Sequence, residues 1–188
     1  MEDDFGEYIL SLYQYIPKEV FNYLLIALCV GTIFFIAARS LKNRLRWYSG
    51  FLLIEYILLL FSSMVFFRIP KDNYGFELMP FWSYAAIIDG KIDLLRENIF
   101  NLVGFVPIGL LFSIITKVNH IWKVILFGCS VSMMIELLQF HYGLGFAELD
   151  DVIHNTLGCL LGYLLYCVMV SISMKRVKGT AIPDVTKL

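Results

Sequence analysis

Charge is what this sequence has least of. Only 16% of its 188 residues are Asp, Glu, Lys or Arg, against roughly 25% in a soluble globular domain. Hydrophobic residues make up 59%, with a mean hydropathy of +0.74, too apolar a balance for a soluble core. Other absences exclude function classes. The four cysteines, Cys29, Cys129, Cys159 and Cys167, lie inside apolar runs and form no CxxC, so buried free thiols are expected rather than a disulfide or zinc site. No Ser/His/Asp or Cys/His nucleophile pattern stands out. The opening residues carry Glu2, Asp3, Asp4 and Glu7 where a secretory leader would be basic. Internal repeats and low-complexity tracts are absent. The basic residues are scattered rather than gathered into a stripe, so no nucleic-acid partner is expected.

What is present is a series of long apolar runs, at 20–38, 48–67, 99–116, 121–140 and 152–173. Crossing hydrocarbon takes about 20 mainly apolar residues, and a segment that crosses must satisfy its own backbone hydrogen bonds, which favours helices. The expectation is an all-α fold: one membrane domain over 1–188, a polytopic bundle of about five transmembrane helices. Ten of the fifteen Lys and Arg fall on one side of this bundle, among them Arg39, Lys42, Arg44, Arg46, Lys117, Lys123, Lys175, Arg176, Lys178 and Lys187. Thirteen of the sixteen carboxylates fall on the other, while Asp184 shares the basic side and Glu55 and Glu136 lie within spans. The positive-inside rule then gives N-out, C-in. The outer segment 68–98, with Tyr74, Phe76, Pro80, Phe81, Trp82 and Tyr84, suits the headgroup level as an interfacial or re-entrant piece.

On this topology three helix ends bring polar groups to one depth. Asn98 and Asn101 open the third span, Glu136 and Gln139 close the fourth, and Asp150, Asp151, His154 and Asn155 open the fifth. The pairs 98/101, 136/139 and 151/155 each share a helix face. A central Asp costs about 2.5–3.5 kcal/mol to insert, so these residues need a reason. Two structural readings stand beside the functional one. Amides join helices, and Asp150 or Asn98 caps the start of its own helix. Glu136 is harder to dismiss, since a carboxylate inside an apolar run must find a partner or give up its charge. His141 and His154 near these carboxylates match no standard metal spacing, so neither metal nor other cofactor is expected. Glu55 reads as interhelical glue or a neutral carboxylic acid rather than a proton-linked group. Pro107 is expected to kink the third span, and Gly158 with Gly162 forms a GxxxG that allows close helix contact.

Four stretches together carry a resemblance: ELMPFWSY (77–84), NLVGFVPIG (101–109), ELLQ (136–139) and DDVIHNTLGCLLGY (150–163). In order and spacing, across 75–165, the chain resembles the VanZ-like membrane proteins, a family associated with teicoplanin resistance. The resemblance implies a multi-pass protein of the bacterial plasma membrane, associated with reduced susceptibility to lipoglycopeptides. Its motif residues are Asn101, Glu136, Gln139, Asp150, Asp151, Asn155 and Thr156, and with Asn98 they form the candidate site. Two departures stand out. No Asn precedes the Leu of ELMPF, and GLGFAELDD lacks the Arg that many members place before the acidic pair, so Arg68 or Arg96 would have to supply a guanidinium. Three functions fit. The first is a non-enzymatic pocket for an amphiphile, either a lipoglycopeptide or a lipid-linked cell-wall precursor, among membrane lipids. The second is an intramembrane enzyme using Glu136 with Asp150 or Asp151 as acid and base. The third, a transporter, is weakened by the lack of an inverted repeat. The oligomeric state stays open.

Overall fold

A computed structural model of the protein describes residues 17–37, 43–118 and 120–179. The acidic stretch Glu2, Asp3, Asp4 and Glu7, together with Arg39, Lys42, Asp184 and Lys187, lies outside the described residues. Five long helices dominate: α1 (Lys18–Ala37), α2 (Arg44–Phe61), α4 (Asp93–Thr116), α5 (Ile121–His141) and α6 (Leu149–Gly179). All five are long and apolar enough to cross a membrane. Between them lie a short helix α3 (Trp82–Ile88) and two strands, β1 (Gly75–Glu77) and β2 (Phe146–Glu148).

The bundle is polar inside and apolar outside, as a lipid solvent requires. Leaving glycines aside, twelve of the buried described residues are polar or charged and ten are apolar, while Ile33, Trp47 and Met134 are exposed on helix faces. Hydrocarbon offers an apolar side chain as good a home as a protein core does, so the helices associate through small residues and hydrogen bonds. The GxxxG expectation is met on both sides of one contact. A methyl added to Gly158 would strike the Leu102 carbonyl, and one added to Gly162 the Val106 carbonyl. From the facing helix, one added to Gly109 would strike the Cys159 carbonyl. Helices α4 and α6 therefore touch backbone to backbone and form the spine of the bundle.

The other helices attach to this spine by specific bonds. Tyr56 Oη of α2 donates to Gly104 O of α4 at 2.7 Å. Helix α1 buries no residue and holds to α2 through a Thr32–Tyr48 hydroxyl pair at 2.8 Å and the Phe35–Tyr48 stack at 4.2 Å. Helix α4 runs on past Pro107, whose ring removes the N–H that would reach Val103 O. The last turn of α2 widens into a π segment, Ser62–Phe66, which tilts its carbonyls off the normal helical ladder.

Three expectations are corrected here. Of the four thiols only Cys159 is fully buried; Cys29 is exposed, and Cys129 and Cys167 are partly so, because their helix faces meet lipid rather than protein. Asn98 does not cap α4. The helix begins at Asp93, five residues earlier, because Asp93 and Glu97 can extend it above the apolar run into water. The segment 68–98 is neither a bare loop nor a simple interfacial stretch. Its residues 75–77 pair in parallel with 146–148, with Gly75 opposite Phe146, Phe76 opposite Ala147 and Glu77 opposite Glu148. Alternating patterns three residues long are too short to read from sequence.

The α4–α6 contact leads to a prediction. Gly158→Leu or Gly162→Leu should cost about 3 kcal/mol or more by overpacking, seen as a large fall in Tm in detergent. Gly50→Ala, whose added methyl meets nothing within 4 Å, should leave Tm nearly unchanged.

Candidate functional site

The polar groups gather at the end of the bundle where α4 and α6 begin and α2 and α5 finish. Asp150, fully buried, anchors this end. Although it lies in the first turn of α6, its carboxylate caps a different helix. Phe81 N donates to Oδ1 at 2.5 Å, while Ser83 N and Ser83 Oγ donate to Oδ2 at 3.0 and 2.5 Å. Asn98 Nδ2 then donates to Ser83 Oγ at 3.0 Å. The capping role expected for Asp150 and Asn98 is thus corrected: together they cap and seat α3. The free N–H groups of a seven-residue helix need an acceptor, and α6 supplies one across the loop. The grip also holds Phe81 at φ 62°, a left-handed conformation that costs a non-glycine residue about 1–3 kcal/mol.

One turn along α6, His154 Nδ1 donates to Asp150 O at 2.6 Å. Its Nε2 shares a hydrogen bond with Tyr84 Oη at 2.8 Å. His154 therefore also holds α3, while His141 is exposed and packs edge-on against Tyr142.

A second cluster lies toward α4 and α5. Asn101 Nδ2 donates to Asp151 Oδ1 at 2.8 Å, and Glu136 Oε2 accepts from Glu148 N at 3.0 Å. Glu136, Glu148, Glu97 and Arg68 all lie within electrostatic reach of Asp151. Of the two arginines considered for the missing guanidinium, Arg68 is the one beside Glu136 and Asp151; Arg96 pairs with Asp93 at 3.8 Å. Glu148, just before the span-length stretch Leu149–Met174, is itself perturbed. Burial pushes its carboxyl up to about 7, Glu97, Asp150 and Glu77 push the same way, and the nearby Trp82 indole pulls against them.

The remaining candidates are tied elsewhere. Gln139 Nε2 donates to Met64 O of the π segment at 3.2 Å, joining α5 to α2. Asn155 Nδ2 donates to Ser132 Oγ at 2.8 Å, joining α6 to α5. Asn155 Oδ1 and Thr156 Oγ1 are buried with no hydrogen-bond partner among the described residues, a costly state that a donor from outside the chain would relieve. Asn101, Glu136 and Asp151 thus share one cluster, Asn98 and Asp150 the neighbouring one, and Gln139 and Asn155 reach away from both. These side chains are knit to one another rather than spread around an open cavity. The cleft at this end, about 260 Å³, lies to one side and is lined by Val65, Phe66, Arg68, Pro70, Tyr142 and Leu144. Among the described residues no three His, Cys, Asp or Glu side chains form a metal-holding group. Ser83, Tyr84, Glu97 and Glu148 escaped the sequence reading because their partners lie far along the chain; only the closeness of Glu148 to the acidic pair hinted at it.

The VanZ/LLP1 family model matches residues 47–170. The chain belongs to the VanZ/LLP1 family. The match takes in α2 through most of α6 and every candidate site residue, and leaves α1 outside. Among curated relatives, Protein VanZ of Enterococcus faecium is 37% identical over 71 residues, which are 38% of this chain and 44% of that protein. The aligned stretch thus spans less than half of that relative's length. No solved structure matches the chain.

Glu148 gives a pH signature. A carboxyl at its ordinary 4.5 in the unfolded chain and near 7 in the folded one binds more protons when folded. Its contribution to stability is therefore full below about 4.5 and lost as pH rises through 7. Glu148→Gln should flatten the fall of Tm between those limits, measured by thermal unfolding in detergent across that range.

Proposed function

We propose that this VanZ/LLP1 protein sits in the bacterial plasma membrane, N-terminus out and C-terminus in. There it lowers susceptibility to teicoplanin-type lipoglycopeptides by binding an amphiphile at its polar end. The ligand is the antibiotic or, more in keeping with the chemistry, a lipid-linked cell-wall precursor. The observation that carries this reading is the convergence of Asn101, Glu136, Asp151 and Glu148 at one end of the bundle, with Arg68 within electrostatic reach of Glu136 and Asp151. The segregation of basic residues supports placing that end outside, where both ligands are found. Carboxylates and amides beside apolar helix walls suit hydroxyl- and amine-bearing headgroups. The orphaned Asn155 Oδ1 and Thr156 Oγ1 offer deeper polar contacts.

A second reading has one observation in its favour. Glu148, with a carboxyl near 7 beside Glu136, has the proton affinity of a general acid or base at neutral pH, so acid–base chemistry on an envelope lipid or glycan is the alternative.

Growth in teicoplanin tests the first reading. Strains carrying Glu136→Gln or Asp151→Asn at equal protein level should lose most of the protection that the wild-type chain confers. Full protection in both would remove the site from the account. Mass spectrometry of envelope lipids and muropeptides from the deletion strain separates the two readings: unchanged species favour binding, and a missing product favours the enzyme.

A further inference from the structure

The carboxylate cluster has a neighbour of opposite sign. Arg68 and Lys71 follow the π segment, and both reach over Gly145: a methyl built there would lie 3.9 Å from Arg68 Nη2 and 3.8 Å from Lys71 Nζ. Two cationic heads therefore converge on one point, above a residue with no side chain and φ +156°. Neither head makes a hydrogen bond or ion pair with another described residue. Glu136 and Asp151 lie within electrostatic reach of Arg68 on the bundle side, while Lys71 is exposed. Lys71 is itself placed by the backbone, since its N–H bonds Gly143 O at 2.8 Å.

A cleft of about 260 Å³ adjoins this point through Arg68, which lines it together with Val65, Phe66, Pro70, Tyr142 and Leu144. Val65 and Phe66 belong to the end of the spanning segment Arg44–Phe66, and Phe66 is 60% exposed. The walls thus run from the Arg68 guanidinium to a lipid-facing helix end. A guanidinium and an ammonium facing one point recognise a phosphate, and the apolar walls call for a chain attached to it.

We infer that Arg68 and Lys71 bind the phosphate of a membrane lipid whose chain lies along Val65 and Phe66. This deepens the proposed function by naming the group recognised, and it rests on that reading for the expectation that the lipid is a polyprenyl phosphate rather than a glycerophospholipid.

The test uses the full chain in phosphatidylcholine nanodiscs containing undecaprenyl phosphate or phosphatidylglycerol, with bound lipid counted by native mass spectrometry. The wild type should retain undecaprenyl phosphate, and Arg68→Gln/Lys71→Gln should retain at least tenfold less. Lys71→Gln alone, on an exposed side chain, gives a several-fold loss and keeps the test open if the double variant fails to fold. Preference for undecaprenyl phosphate over phosphatidylglycerol supports the whole inference. Equal retention of both supports the phosphate site and overturns its assignment to a polyprenyl chain. Unchanged retention in the variants overturns the site, and displacement by equimolar inorganic phosphate overturns the role of the chain. The readout is lipid retention rather than growth in antibiotic, so this inference and the proposed function can fail separately.

Discussion

A carboxylate with no exposed surface has nowhere to put its charge unless the protein supplies donors, and Asp150 receives three, two from backbone N–H groups and one from a hydroxyl. Those donors come from a segment almost seventy residues earlier, so the bond closes a long loop onto the start of α6. Once it is made, other features follow. Helix α3 gains an acceptor for its first amides, and Ser83 is oriented to accept from Asn98. Tyr84 is brought over His154, and β1 and β2 flank the same junction in register. Hydrogen bonds to a charged acceptor contribute about 1.5–3 kcal/mol each, enough to hold Phe81 in its left-handed conformation. The acidic residue thus works as a fastener first, and the helix it fastens brings Trp82 beside Glu148.

The same constraint explains the division of labour along the acidic pair. Asp150 and Asp151 are adjacent, so on a helix they point about 100° apart. One faces the start of α3 and accepts its donors; the other faces α4 and α5, where it meets Asn101 and the charge of Arg68. Replacing either would leave buried groups unanswered, but only Asp151 lies in the cluster that has both surplus carboxylates and a cation at its edge. Helix α1, outside the family match and without a buried residue, packs against α2.

Much of this was legible in the sequence. The apolar runs gave the five long helices to within a few residues at most ends, because the hydrocarbon thickness imposes a length that composition reveals directly. Gly158 and Gly162 announced the close contact of α6, although the partner, α4, could not be named from spacing alone. Asn101 and Asp151, expected at neighbouring helix ends, are joined by a hydrogen bond. What stayed hidden were the contacts made across long loops. Asp150 looked like the cap of its own helix, since an Asp at a helix start usually is one. Nothing local marked Phe81 and Ser83 as its donors. Gln139 shared a face with Glu136, yet it reaches the Met64 carbonyl, because a π turn in α2 presents that carbonyl and no sequence pattern signals such a turn. The three-residue strands are likewise the product of tertiary closure.

The junction stands on the bond between Asp150 and α3, and hydrogen exchange reads it most directly. Exchange by mass spectrometry on the chain in nanodiscs should show the 81–88 segment protected in the wild type and at least tenfold faster in Asp150→Ala, with α5 unchanged. Combining Ser83→Ala with Asp150→Ala should add little, since both remove one linkage. Protection of 81–88 that survives Asp150→Ala intact would contradict the account, because α3 would then be seated by something other than this carboxylate.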